Sequence, residues 1–305
     1  MVDASITKAR PATAADYIAL MKPRVMSLVV FTGLVGYAIA PGQGDLVLGF
    51  ASILAIAVAA GAAGALNMWF DSDIDAIMTR TRARPIPSGR VAREEALMLG
   101  LTLSALSVLT MLLAANLLAA MLLAFTIFFY AVVYTMWLKR STPQNIVIGG
   151  LAGALPPAIA WAAKTGALGL DPLILVAIIF VWTPPHFWAL ALALVQRQDY
   201  AAARVPMLPV THGAKITRAH ILAYSLLLAP LGLAPVLSGM GGVFYGAAAA
   251  FGGALFVLLA VRVARSGAGE GDKAQDKPAR DLFAYSILYL FVLFAALLAE
   301  HGFRA

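Results

Sequence analysis

The sequence predicts an all-α protein, a polytopic membrane helical bundle. About nine transmembrane helices are expected, in two four-helix halves plus one, around a central apolar cavity. Three observations predict it. Of 305 residues, 62% are hydrophobic and only 12% charged, whereas a soluble domain carries about twice that share of charge. Apolar runs near the roughly 20 residues needed to cross a bilayer recur nine times. Threaded alternately through a membrane, those runs leave 20 of the 22 Lys and Arg on one side. Composition therefore excludes a water-soluble enzyme, and its hydrophobicity excludes intrinsic disorder. The net charge of +7 reads as loop charge holding topology, with no nucleic acid implied. The chain has no cysteine, so disulfides, zinc–thiolate sites, Fe–S clusters and cysteine nucleophiles are absent.

The runs fall at 25–41, 47–70, 95–115, 117–138, 146–164, 172–195, 219–238, 242–264 and 282–300. The opening stretch, with Asp3 and Asp16, has no apolar core before a small-residue cleavage site, so no secretory signal is expected; residues 1–24 are expected as a cytoplasmic segment. Short turns such as PGQGD and SGMGG join helices on the outer side. Two polar loops on the other side, 71–94 and 196–218, are long. Each follows an even-numbered helix, and they begin roughly 125 residues apart, which suggests a parallel internal repeat. The Gly-rich charged stretch 265–281 reads as a flexible loop. The whole chain, 1–305, reads as a single transmembrane domain. Lys164 and Arg304 alone fall outside the basic side. This bias predicts a cytoplasmic N-terminus and a C-terminus outside, in a bacterial-type plasma (inner) membrane.

The second run ends in GALNMWFDSDIDAIMTRTRARPIPSGR. Asn67, Asp71 and Asp75 are spaced i, i+4, i+8, so a continuing helix places them on one stripe, with Asp73 turned away. Carboxylates this close repel unless a cation sits among them. Hard oxygens suit Mg²⁺, which takes one or two carboxylates plus substrate phosphates. The alternative is a solvated, acidic helix end. Downstream lie Arg80, Arg82, Arg84 and Arg90; arginine forks match phosphate oxygens, although basic loops are also ordinary topology determinants.

Residues 182–213 read WTPPHFWALALALVQRQDYAAARVPMLPVTHG. Pro184 and Pro185 are expected to break or kink the helix. His186 follows them, and a histidine inside a span is often functional. It is left between ligating a haem iron, moving a proton, and capping a freed carbonyl. Asp199 closes this helix, with Gln196 on its face, in the place that Asp71 and Asp75 hold in the first half. It is expected to complete the carboxylate cluster. Tyr130, Tyr134 and Trp137 end the fourth run before Lys139 and Arg140, as an aromatic belt or as part of a site. Gly149, Gly150 and Gly153 allow close packing of the fifth, and Pro156-Pro157 marks a second break. Lys215, with Arg82, Arg84 and Lys139, completes the set of cations placed near the mouth.

An apolar intramembrane cavity with a carboxylate, metal and arginine mouth suits an isoprenyl diphosphate. The tail lies among helices and the head at the metal. At this point Asn67-x3-Asp71-x3-Asp75 resembles the first aspartate-rich motif of the UbiA-type intramembrane prenyltransferases. DAIMTRTRARPIPSGR, YTMWLKRSTPQNIVIGGLAGALPP, WTPPHFWALAL and DYAAARVPMLPVTHG are similar to the branch that farnesylates haem. The resemblance spans roughly residues 15–300. It implies farnesyl transfer from farnesyl diphosphate to a vinyl group of haem B, with water added, giving haem O. It implies Mg²⁺ as cofactor, Asp71, Asp75, Asp199 and His186 as catalytic residues, and Asn67, Asp71, Asp75 and Asp199 as metal ligands. Asn67, Arg82, Arg84, Tyr134, Lys139 and Lys215 would bind substrate. Membrane lipid surrounds such a protein, and haem A synthase or oxidase assembly proteins are the implied neighbours. Two departures stand out. Ala203 replaces a second aspartate four residues after Asp199, and Tyr134 and Lys139 are five apart where the family often has Tyr-x3-Lys. Rival expectations are a quinone-precursor or chlorophyll-type acceptor, and a cation-coupled transporter. The scarcity of charge within the spans argues against the transporter.

Overall fold

The computed structural model describes residues 11–192 and 194–304. Lys8 and Arg10, and the side chains of Gln196, Arg197 and Arg304, lie outside what it describes. Among the described residues nine apolar helices follow one another. They are α1 (Pro23–Ile39), α2 (Leu46–Phe70), α3 (Arg93–Ala114), α4 (Leu117–Ser141), α5 (Asn145–Thr165), α6 (Leu170–Leu192), α7 (Gly213–Leu237), α8 (Val243–Arg265) and α9 (Lys277–Gly302). Eight are long and apolar enough to cross a membrane. α1 has 17 residues, about 26 Å at 1.5 Å per residue, close to the hydrocarbon thickness. No strand occurs among the described residues.

Lipid removes the hydrophobic drive between helices, so close packing must hold the bundle, and small residues permit it. A Cβ on Gly36 of α1 would stand 2.4 Å from the Pro157 carbonyl oxygen of α5, so only glycine admits that crossing. Gly149 of α5 lies under the Tyr134 ring of α4, where a Cβ would come within 2.2 Å of Cδ2. Next to it Gly150 faces Thr183 of α6. The two glycines thus seat α4 and α6 on adjacent sides of α5. At the end away from the polar loops, Lys164 donates to the Ala40 carbonyl at 2.7 Å, capping α1, and Asn116 donates to the Ala162 carbonyl at 2.7 Å.

Two expectations change. α6 runs from Leu170 to Leu192 with Pro184 and Pro185 inside it. The prolines remove two donors but do not end the helix, because both are buried among neighbouring helices. The stretch expected as a flexible loop, 265–281, is tied down. Arg218 of α7 donates to the Ala268 carbonyl at 2.7 Å and to Glu270 at 2.5 Å. Gly269, at φ +83, fits between Leu192 and Ala214.

Candidate active site

The N-terminus of α1 and the ends of α2, α4 and α6 converge at one end of the bundle. α2 stops at Phe70, but hydrogen bonding continues through the joint. Asp71 N–H donates to the Asn67 carbonyl at 2.9 Å, and Asp75 N–H to the Asp71 carbonyl at 2.8 Å. A short helix, Ser72–Ile77, carries the i+4 spacing onward, so Asn67, Asp71 and Asp75 keep one face. All three are buried, at 4%, 0% and 2% exposure. Three buried polar side chains at a helix end need partners, and most of those partners are cations.

Asn67 is the hub. Its Nδ2 donates to Asp71 Oδ2 at 2.8 Å and to Thr135 Oγ1 at 3.0 Å, and its Oδ1 accepts from Lys22 Nζ at 2.5 Å. Lys139 pairs closely with Asp71 Oδ2. Asp71 Oδ1 is buried and accepts no hydrogen bond among the described residues; an Nη of Arg140 stands 3.7 Å from it. Arg84 reaches Asp75 at 2.6 Å. Asp73 faces outward, as its spacing predicts, and takes both Nη atoms of Arg140 at 2.7 and 2.8 Å. That fork holds the Asp73 carboxyl below the usual range, against a smaller opposing effect of burial.

Lys22 is the residue that sequence reasoning passed over, because it read only as a topology charge. The short helix Ala14–Leu20 lies on the glycine face of α2. Gly64 admits the Leu20 carbonyl, and Gly61 the Met21 side chain. The next residue, Lys22, turns left-handed at φ 56 and sends its ammonium inward to Asn67. Burial, then the charges of Arg84 and Lys139, push it down to about 7. The same N-terminal helix is anchored by Asp16, which accepts from Arg90 at 2.7 Å. Arg90 and Thr13 hold the Asp16 carboxyl at about 2. Arg90 also donates to the Ala83 carbonyl, so it braces the loop.

α4 contains a feature that periodicity did not indicate. Phe129–Leu138 is a π-helix. Thr135 Oγ1 donates to the Tyr130 carbonyl, and Lys139 N–H to the Tyr134 carbonyl, both five residues back. In an α-helix a spacing of five leaves two side chains about 140° apart. With i→i+5 bonding Tyr134 and Lys139 share a face, so the extra residue between them is absorbed. The Tyr130 and Tyr134 rings pack at 5.3 Å.

Asp199 lies on the helix Leu194–Ala202 and is 6% exposed. Its oxygens accept the backbone N–H groups of Thr79 at 3.0 Å and Arg80 at 3.1 Å. Burial raises its carboxyl and these bonds lower it, with a net shift downward. It therefore joins the second polar loop to the first. Among the described residues no three acidic or histidine side chains converge to hold a metal by themselves. Arg82 and Lys215 are exposed. His186 lies apart from the carboxylates, in a buried contact between α6 and α9, with its Nδ1 2.6 Å from Ser286 Oγ.

The donor set fits a hard divalent cation. Asp71 and Asp75 supply carboxylate oxygens and Asn67 its Oδ1, and Asp71 Oδ1 is buried with no hydrogen-bond partner among the described residues. With no three-carboxylate cage, such a cation needs further oxygens from a phosphate or water, which is the habit of Mg²⁺.

The UbiA prenyltransferase family model matches residues 29–287. A protoheme IX farnesyltransferase of Azorhizobium caulinodans is 62% identical over 288 residues, covering 94% of this chain and 92% of that one. Another, from Hyphomonas neptunium, is 59% identical, covering 96% and 93%. Among solved structures, a digeranylgeranylglyceryl phosphate synthase superposes with a TM-score of 0.76 at 17% identity, covering 94% of this chain and 98% of that one. A UbiA homologue from Archaeoglobus fulgidus bound to DMAPP and Mg²⁺ gives 0.70 at 16%, covering 92% and 99%.

Proposed function

The chain belongs to the UbiA prenyltransferase family, and from that premise we propose that it moves the farnesyl group of farnesyl diphosphate onto a vinyl group of haem B. Water adds, giving haem O. The observation that carries the reading is the pair of farnesyltransferase relatives matched over more than nine-tenths of the chain. The buried Asn67/Asp71/Asp75 face gives it a chemical basis.

Asn67, Asp71 and Asp75 would hold Mg²⁺, which when bound neutralises charge on the leaving diphosphate. The remaining roles belong to the chain. Lys22, Lys139 and Arg84 are paired with Asn67, Asp71 and Asp75. When the diphosphate arrives, these cations exchange a carboxylate or amide partner for phosphate oxygens, with Arg84 able to bind two at once. Thr135 holds the Asn67 amide in register. Tyr130 and Tyr134 present ring faces near an allylic cation, and the surrounding helices keep water from it until the acceptor has reacted. The Asp199 carboxylate closes the mouth by fixing Thr79 and Arg80. The protein is an integral membrane protein; we place its mouth, where nearly all its basic residues gather, on the cytoplasmic face of the inner membrane.

Haem extracted from membranes making this protein, supplied with farnesyl diphosphate, is expected to gain the mass of a farnesyl group plus a hydroxyl, the other hydrogen of the added water leaving as a proton and the diphosphate departing from the farnesyl carbon. Haem unchanged in mass, with a quinone precursor prenylated instead, would overturn the acceptor assignment.

A further inference from the structure

His186 is 7% exposed and belongs to no part of the carboxylate mouth. Its ring is stacked against Trp182 at 4.3 Å and against Phe283 of α9 at 4.7 Å. Phe187 meets it edge-on at 5.0 Å. Rings packed on it in this way leave an edge of the imidazole, and not its faces, to a ligand.

The protonation of that edge follows from Ser286. Its Oγ donates to the Phe283 carbonyl at 2.6 Å, which uses its one hydroxyl proton. The same oxygen stands 2.6 Å from His186 Nδ1. The arrangement that satisfies both contacts at once has Oγ donating to the Phe283 carbonyl and accepting from His186, and this assigns the hydrogen to Nδ1. Neutral imidazole then has its lone pair on Nε2. Trp182 Nε1 donates to the Ser286 carbonyl at 2.8 Å, tying α6 and α9 together at this point. A histidine whose Nδ1–H is held by an oxygen and whose Nε2 is free is the arrangement that metal-ligating histidines use, because the held N–H fixes both ring orientation and tautomer. Among the described residues no group of three acidic or histidine side chains gathers here to suit a hard cation, and the rings around it are aromatic. A porphyrin iron is the metal whose own four nitrogens need only one axial ligand from the protein.

We propose that His186 Nε2 binds the iron of the haem substrate axially, and that Ser286 is the positioning residue that sets its tautomer. The inference rests on the haem-farnesylating reading. Ligation fixes the plane of the acceptor so that one vinyl group faces the farnesyl cation. Ser286 touches no substrate and acts through His186 alone.

The test adds haem B to the purified protein in lipid nanodiscs and reads the ferrous iron by absorption and resonance Raman. The wild type is expected to show an iron–imidazole stretch. His186→Ala loses it, and added imidazole restores it. Ser286→Ala moves the stretch to lower frequency and raises KM for haem about tenfold, with KM for farnesyl diphosphate unchanged, and Ser286→Thr reverses both. A wild-type spectrum identical to that of His186→Ala overturns iron ligation. Ligation lost in His186→Ala while Ser286→Ala matches the wild type in both spectrum and KM overturns the role of Ser286. Mass analysis of the haem separates these outcomes from failure of the farnesyltransferase reading. Wild-type protein that forms haem O without an imidazole-ligated spectrum overturns this inference alone.

Discussion

At the scale of single residues, the mouth is a set of buried carboxylate and amide oxygens neutralised by lysine and arginine. Asp71 is the most constrained of them, fully buried with one oxygen on Asn67 and Lys139 and the other unsatisfied. Asp71→Ala is expected to lower turnover by orders of magnitude while the protein still folds and elutes as the wild type does. Near-wild-type haem O formation in those membranes would remove Asp71 from the chemistry. Lys22 allows a finer separation. Its φ of 56 costs a residue with a Cβ about 1 kcal/mol, a strain that glycine does not feel. Lys22→Gly should therefore unfold at a higher temperature than Lys22→Ala, and both should raise KM for farnesyl diphosphate. Equal KM in both variants and the wild type would leave Lys22 as a loop charge. Its sequence context showed a basic residue before a proline and nothing more. The inward turn depends on Gly61 and Gly64, some forty residues away, and no local pattern reports it.

At the scale of elements, the Asn67/Asp71/Asp75 stripe was legible because a helix period dictates it, and the i+4 bonds continue across the joint at Asp71. The π-helix was not legible, since hydrophobic pattern reports which face is apolar and not which carbonyl a given N–H chooses. Its presence accounts for the five-residue Tyr134–Lys139 spacing. A π-helix of this kind is an α-helix with one residue inserted, so a deletion can restore the simpler form. Deleting Met136 brings Tyr134 and Lys139 to a spacing of four in an α-helix, and activity should be largely retained. Deleting Val133 also removes the insertion but keeps the spacing at five, which swings Lys139 about 140° from Tyr134; activity should be lost. The reverse order of the two deletions, measured as haem O formed per protein, would show that the π-helix does not set this register.

At the scale of the whole molecule, the succession of apolar helices followed from run length and loop charge, because lipid penalises any other arrangement of the backbone; the seventh and ninth helices begin at Gly213 and Lys277, ahead of the expected 219 and 282, because their first turns are polar. The relation between the two polar loops did not follow, because it rests on a long-range bond between a side chain and backbone. Its place in the second half predicts that Asp199 is a carboxylate facing Asp71 and Asp75. The structure shows it holding Thr79 and Arg80 by their N–H groups, so it links the second loop to the first. These two roles make different demands on pH and on substitution. The carboxyl is held below its ordinary value by those N–H bonds, which outweigh the opposing effect of burial. A group depressed in the folded state contributes docking stability that is present above the ordinary carboxylate range and lost as pH falls through its lowered value. Hydrogen-exchange protection factors at Thr79 and Arg80 should thus be constant near neutral pH and fall only in acid below that range. In Asp199→Ala they should be low at every pH, while exchange within α2 and α6 stays as in the wild type. Protection at Thr79 and Arg80 that survives Asp199→Ala would mean that the loops are held together by some other contact, and would leave the carboxylate free to serve a bound cation instead.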